Sequence, residues 1–353
     1  MNIADVRILR LALGATLAIS VSQLAAWDLS FVAPVFTILV LSLPLPAPTL
    51  VKALKFVLAL SLGIYSGFLL LPTLLHFHDV GVLLLAVALF WSFYYAARGG
   101  SPLIGAFLTV GLAIATAVGS MSIDVMPVLA KAVTVNAIIG LVFVWVAHAL
   151  LPDSKAKSAT AAKTAAQSAP VVPDEKAARW SALRSTTVMM PVCLWLLMSS
   201  GSAALVPFMI KVASMAQQAS SGNARQVGRS LISSTIIGGI GATIGWQVLS
   251  AWPSLGMYAA VIGLAGLVIG RKIFQGAGMH PDSATWSYGY LTLVIILAPA
   301  VLDSAGGAAA GAAFWNRLIM FAGATLYGVG AVFVFDAIWP ARSAETQTVV
   351  DPG

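Results

Sequence analysis

Charged side chains are scarce along this chain. Only 9% of its 353 residues are charged and 59% are hydrophobic, whereas soluble domains carry about 25% charged residues. A soluble protein of this composition would expose a largely apolar surface and aggregate. The scarcity of charge therefore excludes a soluble globular protein and predicts an all-α, polytopic protein embedded in the lipid bilayer.

Cysteines and catalytic motifs are equally sparse. Cys193 is the one cysteine of the sequence, so the chain forms no internal disulfide and no thiolate metal cluster. The sequence contains no Walker motif, nucleophile elbow, His-Glu-x-x-His or Cys-x-x-Cys. We therefore expect no enzyme activity, cofactor or metal site. We also expect no nucleic-acid partner, because the net charge of +7 comes from Lys and Arg in short loops.

Long apolar runs, by contrast, recur along the chain, and many reach the ~20 residues that a helical span needs. They predict about twelve transmembrane helices, in two groups of six. The predicted spans are 11–26, 31–48, 56–74, 80–97, 102–120 and 132–151, followed by 184–200, 203–219, 230–250, 255–270, 286–302 and 317–336.

The Lys and Arg residues between these spans predict the topology. Arg7 and Arg10 place the N-terminus in the cytoplasm. Twelve spans then put all but three of the 19 basic residues on the inner side. Lys131 and Arg317 fall on the outer side, and Lys211 falls inside a span. Both termini are expected to be cytoplasmic.

The composition also predicts the domain organisation. A first six-span repeat over residues 1–152 is followed by a flexible cytoplasmic linker over 153–183, which is rich in Ala, Ser, Thr and Lys. A second six-span repeat over 184–340 and a short polar tail over 341–353 complete the chain.

The two groups of spans match in spacing, which indicates an internal duplication. Pro34, Lys52 and Arg98 recur 173 residues later, as Pro207, Arg225 and Arg271 respectively. His148 and Pro152 recur 188 residues later, as Asp336 and Pro340. Since each half has an even number of spans, both halves insert in the same direction and form a parallel repeat.

The interface between such halves commonly houses a substrate path, which favours a transporter. A non-transporting scaffold, or an accessory subunit of an envelope complex, stays open as the alternative. A membrane-embedded enzyme is disfavoured, because no intramembrane cluster of His, Asp and Glu is evident.

Lys211 is the sharpest candidate for a transport residue. It follows Pro207 by one helical turn in an apolar stretch, and the matching position in the first half is Ile38. An intramembrane Lys costs about 2.5–3.5 kcal/mol and is tolerated beside a partner or a water-filled path. A cationic site suits an organic anion. The alternative is that the span ends early and Lys211 snorkels to the cytoplasm.

The matched Pro34 and Pro207 are further candidates for the transport path. Proline lacks an amide hydrogen, so each is expected to open a helical hydrogen bond. Paired interruptions of this kind point to a binding site, although simple kinks that serve packing are an equal alternative.

Two pairs of charged residues precede the last span of each half on the outer side. They are Asp124 with Lys131, and Asp303 with Arg317. They are candidates for an outer gate or for an adaptor contact, and ordinary interfacial ion pairs are the alternative.

His148 and Asp336 occupy matching positions near the inner ends of spans six and twelve. A titratable group there is a candidate proton relay, since His changes its charge near physiological pH. Ordinary residues of the membrane interface are the alternative.

The first half also carries a family resemblance. The residues that carry this resemblance are the segment Arg7–Ala18, Trp27, the segment Phe31–Phe36, the proline-rich turn Pro44–Pro48, and the segment Lys52–Gly67. Over about residues 7–150, and more weakly over 184–340, the chain resembles the fusaric acid resistance and aromatic acid exporter permeases.

This resemblance implies an efflux permease of the bacterial inner membrane. Permeases of that family export aromatic carboxylic acids and often work with a periplasmic adaptor of the membrane-fusion type. Many carry a large cytoplasmic domain after each half, so a chain with only a short linker is expected to belong to a compact branch. A homo-oligomer is compatible with this class.

Overall fold

The computed structural model describes residues 2–119, 125–152, 174–198, 206–220, 223–276, 278–303 and 308–340. Within these ranges the chain forms twelve α-helices and one two-stranded hairpin. The first half contains α1 (Ile3–Leu24), α2 (Val32–Leu41), α3 (Leu50–His76), α4 (His78–Ala97), α5 (Pro102–Gly119) and α6 (Val125–Leu150). The second half contains α7 (Glu175–Met198), α8 (Val206–Ala219), α9 (Ala224–Ala251), α10 (Leu255–Ile273), β1 (Phe274–Gln275), β2 (Gly278–Met279), α11 (Ser283–Asp303) and α12 (Ala308–Ile338).

Each predicted span overlaps one of these helices, so the all-α, polytopic fold is confirmed. Seven of the helices are long and apolar enough to cross a membrane on their own, namely α3, α4, α6 and α9 to α12. The remaining helices are short or carry charges in their first turns. The chain is a multi-pass membrane protein.

The outer surfaces of the long helices are apolar. On α9, Ile232, Ile236, Ile240 and Ile244 recur every four residues and are 39–60% exposed. A spacing of four keeps them on one face of the helix. Exposure of such a stripe to water is unfavourable, whereas contact with lipid tails is not.

Glycines set the closest helix contacts inside each half, between the third and the fifth helix. A Cβ on Gly63 of α3 would lie 2.5 Å from the carbonyl oxygen of Leu108 on α5, so only glycine fits there. Gly238 on α9 packs in the same way against Gly289 and Thr292 of α11. The Gly-rich run at 238–245 therefore serves helix packing, as its apolar surroundings predict.

Other contacts pair the two halves across a pseudo-twofold axis. Helix α1 packs on α10, and the matching α7 packs on α4. Likewise α5 contacts α8, and α11 contacts α2. Along the α1–α10 contact, Gly263, Gly266 and Gly270 face Thr16, Ala12 and Ile8 respectively, so these two helices run antiparallel. The first span of one half and the fourth span of the other run antiparallel only when both halves insert in the same direction, as the parallel repeat predicts.

One end of the bundle gathers the helix ends that flank the linker, and we name it the linker face. Arg10 near the start of α1 bonds to Leu151 after the end of α6, and Trp180 near the start of α7 bonds to Trp339 after α12. Trp145 near the end of α6 bonds to Pro48, just before α3. The other end is the opposite face.

Two boundaries differ from the sequence prediction. The second span was expected to reach residue 48, but α2 ends at Leu41 and the chain has no regular secondary structure from Pro44 to Thr49. Pro44, Pro46 and Pro48 explain this, because proline cannot continue the helical hydrogen-bond ladder. In addition, α7 begins at Glu175, so the last residues of the predicted linker are helical. Residues 153–173 and 341–353 lie outside the described residues.

Candidate functional site

The site is built around the two shortest helices, α2 and α8, which occupy matching positions in the two halves. Their described residues number 10 and 14 and measure about 15 and 21 Å, less than the 30 Å of a hydrocarbon core. Almost every residue of both helices is buried. Short matched helices in the middle of a repeat are the usual place of a transport site.

Pro34 lies in the first turn of α2, at its third residue, whereas Pro207 is the second described residue of α8, and residues 199–205 before it lie outside the described ones. The first four amide groups of a helix have no partner within the helix, so a proline there opens no hydrogen bond. The predicted interruption is therefore wrong for Pro34, which instead favours the start of a short helix. For Pro207 it stays a prediction.

Lys211 lies in the middle of α8 and is 1% exposed. Its Nζ donates a hydrogen bond of 2.9 Å to Oγ1 of Thr292 on α11. Within the described part of the chain, no carboxylate lies within ion-pair distance of Nζ. Helix α8 continues for eight residues beyond Lys211, or about 12 Å. The alternative in which Lys211 snorkels to the surface is therefore wrong.

The fold itself does not require this polar pair. Ile38 stands four residues after Pro34, as Lys211 stands four residues after Pro207, and Ile38 is fully buried. On the fifth helices, Ile114 stands three residues after Gly111, as Thr292 stands three residues after Gly289. The first half thus uses two buried isoleucines where the second half uses Lys and Thr.

A polar cavity of about 740 Å³ opens beside this pair at the linker face, between α8, α9 and α11. Arg225 and Arg229 of α9 line it, together with Gln217 and Gln218 of α8. Both arginines are exposed, and neither is in an ion pair with a described residue. Asp282 is the one carboxylate of the described wall. The cavity is therefore net positive and suits an anion.

Tyr288 connects this cavity to the hydrogen-bonded pair of Lys211 and Thr292. The Tyr288 hydroxyl lines the cavity and donates to Oε1 of Gln217 at 3.4 Å. The carbonyl oxygen of Tyr288 accepts a 2.7 Å bond from the Thr292 hydroxyl, which in turn accepts from Lys211. One turn of α11 thus separates Tyr288 in the cavity wall from Thr292, the partner of Lys211.

The seam between the halves, formed by α2, α5, α8 and α11, is closed. A cavity of about 20 Å³ remains there, lined among others by Phe36, Val110, Ser214 and Leu291. This volume is close to that of one water molecule. Passage of a larger molecule along the seam would require the two halves to move apart.

Asp336, a predicted relay residue, pairs with Arg184 near the linker face. Its Oδ2 lies 2.6 Å from NH2 of Arg184, whose side chain is fully buried, while Asp336 is 21% exposed. Arg184 also donates a 3.0 Å bond to the carbonyl oxygen of Ala219, the last residue of α8, and stacks over Trp180 at 4.9 Å. Arg184 thus fastens the end of the Lys211 helix to α12.

His148 occupies the matching place in the first half. Its Nδ1 lies 2.8 Å from the carbonyl oxygen of Val144, one turn earlier on α6. The arginine that corresponds to Arg184 is Arg10, which donates bonds of 3.1 and 2.6 Å to the carbonyl oxygen of Leu151. Both halves therefore place an arginine beside the end of their last helix, and in the second half Asp336 forms an ion pair with it.

The predicted charge pairs of the opposite face are described only in part. Asp124 lies outside the described residues, and Asp303 is the last residue of α11, with a side chain that is not described. Lys131 is exposed on α6, and Arg317 is partly buried on α12. Their predicted roles as an outer gate or adaptor contact remain predictions.

Sequence reasoning missed several residues of the site. Thr292 and Tyr288 lie in a predicted span but 81 and 71 residues from their partners on α8, so no local pattern links them. Arg184 was predicted only as an inner-side charge, although the sequence carried a signal that it pairs with the end of its half. Arg10 and Arg184 stand near the start of the two halves, as His148 and Asp336 stand near their ends.

Comparisons with known proteins add one family. Residues 7–147 match the family described as "Protein of unknown function (DUF2955)". The matched stretch corresponds to the first half, from α1 to the end of α6. No curated protein and no solved structure matches the chain.

Proposed function

We propose that this chain is a secondary efflux permease for small aromatic or amphipathic organic anions. The observation that carries the proposal is the buried ammonium group of Lys211, which belongs to α8, a helix of the seam between the two repeats, and lies near a cationic cavity. A buried cation with no described carboxylate beside it is costly. An anionic substrate would supply the missing countercharge.

The cavity at the linker face has the properties of an entry site for such a substrate. Its volume lies in the 300–1,000 Å³ range of small-molecule sites. Arg225 and Arg229 stand four residues apart, so both reach the same face of α9. A carboxylate or another compact anion suits these guanidinium groups. Trp286 and Tyr288 in the same wall offer aromatic surfaces to a substrate ring.

Proton coupling is the third part of the proposal. Asp336 holds Arg184, and Arg184 holds the carbonyl end of α8. Protonation of Asp336 would remove the charge that holds Arg184 in place and would loosen the end of the helix that carries Lys211. His148 takes the corresponding place in the first half. A proton gradient would thereby act on the seam.

The resemblance to the fusaric acid resistance and aromatic acid exporter permeases supports efflux. It extends over about residues 7–150, nearly the stretch that matches the family of unknown function. It also suggests the bacterial inner membrane and a periplasmic membrane-fusion adaptor as partner. The basic residues of the linker face favour the cytoplasm for that side. A homo-oligomer is compatible with the apolar outer surface.

Transport by purified protein in proteoliposomes tests the proposal. A panel of aromatic carboxylates and their uncharged amides would be offered with and without a pH gradient. We expect carboxylate transport that requires the gradient and falls at least tenfold in Lys211→Met. The matched control is Lys272→Met, because Lys272 is an exposed lysine in the last turn of α10 at the same face.

Two results would contradict the proposal. Equal transport by Lys211→Met and wild type would remove Lys211 from the path. No transport of any carboxylate by folded wild-type protein would favour the alternative, a non-transporting scaffold or accessory subunit. In that case deletion of the gene would impair assembly of a partner complex while export continued.

A further inference from the structure

A second cavity lies at the opposite face of the bundle, away from the cationic one. It measures about 540 Å³ and is enclosed by the end of α1, the end of α9, the start of α10 and the end of α11. Its wall includes Gln23, Trp246, Leu249, Leu255, Tyr258 and Val301. The volume is that of a small-molecule site.

The chemistry of this wall differs from that of the linker-face cavity. No charged residue contributes to the wall where the structure describes it, and apolar or aromatic side chains prevail. The indole ring of Trp246 is stacked on Phe314, with ring centres 5.3 Å apart and planes 9° from parallel. A rigid aromatic surface without a countercharge favours an uncharged ring and disfavours an anion.

The wall also contains a buried polar group without a partner. Tyr258 is 1% exposed, and its hydroxyl makes no hydrogen bond with any described residue. Ser22, next to Gln23 of the wall, is fully buried, and its hydroxyl is unsatisfied within the same ranges. Buried donors without partners are uncommon, because each costs about 1–3 kcal/mol. The Tyr258 hydroxyl has no accessible surface toward the cavity, so a ligand with an acceptor satisfies this donor once the Tyr258 side chain shifts toward it.

The two cavities are lined by the same two helices but are separated by close packing between them. Both are lined by α9 and α11, near the starts of these helices at the linker face and near their ends at the opposite face. Between them, Gly241 and Gly245 of α9 pack directly on Leu293 and Leu297 of α11. The opposite-face cavity is thus a separate site.

We propose that the opposite-face cavity binds a small aromatic molecule in its uncharged form. The ring packs against Trp246, and an oxygen acceptor of the ligand receives the hydrogen bond of the Tyr258 hydroxyl. This site stands independently of the proposed transport activity, because it is defined by equilibrium binding. If both proposals hold, the protein binds anions at one face and neutral aromatic molecules at the other.

Ligand-observed ¹⁹F NMR on the full chain in phosphatidylcholine nanodiscs tests the site. The probes are 4-fluorobenzamide, which is uncharged, and 4-fluorobenzoate, an anion of the same size. Ser250→Trp places a large ring in the cavity from an exposed position at the end of α9. Tyr258→Phe removes only the hydroxyl. Arg225→Gln at the linker face is the control.

We expect 4-fluorobenzamide to bind and Ser250→Trp to abolish its binding. Tyr258→Phe should weaken binding about 2- to 10-fold, which corresponds to one hydrogen bond, and Arg225→Gln should leave it unchanged. Unchanged amide binding in both Ser250→Trp and Tyr258→Phe would overturn the proposal. The proposal would also be overturned if 4-fluorobenzoate bound as tightly as 4-fluorobenzamide and Ser250→Trp abolished that benzoate binding. A co-purified lipid that Ser250→Trp releases and the amide does not displace would identify a lipid site instead.

Discussion

The pair formed by Lys211 and Thr292 leads to the prediction that removal of the lysine does not lower the free energy of unfolding. A Lys at the bilayer centre costs about 2.5–3.5 kcal/mol. Its single hydrogen bond to Thr292 returns about 1.5–3 kcal/mol, the value for a bond to a charged group. Replacing Lys211 by Met, which fits the same apolar surroundings, should therefore leave the free energy of unfolding unchanged or raise it by up to about 2 kcal/mol.

The partner substitution should act in the opposite direction. Thr292→Val keeps the shape of the side chain, which matters because Gly238 packs against it, but removes the hydroxyl. Lys211 then loses its hydrogen bond, and the free energy of unfolding should fall by about 1.5–3 kcal/mol. The double variant should recover most of this loss, since no buried ammonium is left to satisfy. The coupling between the two sites should thus be about 2 kcal/mol.

Unfolding in one detergent, followed by tryptophan fluorescence against denaturant, measures all four proteins of this cycle. Transport in proteoliposomes is measured on the same preparations. The expected combination is a protein with Lys211→Met that is as stable as wild type or more stable, yet inactive. A clear loss of stability in Lys211→Met, together with intact transport, would refute the reasoning and make Lys211 a structural residue.

Three further predictions concern other parts of the bundle. Asp336→Ala leaves the buried Arg184 without its carboxylate and should lower the free energy of unfolding by about 2–4 kcal/mol; a stable variant with unchanged denaturant midpoint would argue against the pair. Gly63→Ala forces α3 away from α5 and should cost about 1–3 kcal/mol, measured in the same way. Joint replacement of Arg225 and Arg229 by Gln should raise the KM for a carboxylate about tenfold and weaken its dependence on ionic strength, with little change in thermal stability.

Much of the fold follows from the sequence because the signals involved are local. An apolar run of about 20 residues specifies a span by itself, and each of the twelve predicted spans overlaps a helix. The duplication is visible because Pro34 and Arg98 keep the same distance from Pro207 and Arg271. The early end of α2 was also legible, since alternate prolines follow Ser42 and Leu43.

The candidate site was less accessible to such reasoning. Lys211 was identified from its cost in a membrane, a property of one residue. Its partner Thr292 follows from how α8 and α11 pack, and no hydropathy pattern gives that register. The same is true of Arg184 and Asp336, which lie 152 residues apart. Long-range pairs of this kind become visible only once the helices are placed side by side.

The exchange of contacts between the halves has a consequence for biosynthesis. Helix α1 finds its main partner only when α10 has been made, and α4 must wait for α7. An isolated first half would expose the face of α1 on which Ile8 and Ala12 pack against Gly270 and Gly266 of α10. The early helices must therefore persist in the membrane as an unfinished intermediate until the second half emerges. A gene that encoded one half alone would have to yield a dimer, in which a second copy took the place of the missing half.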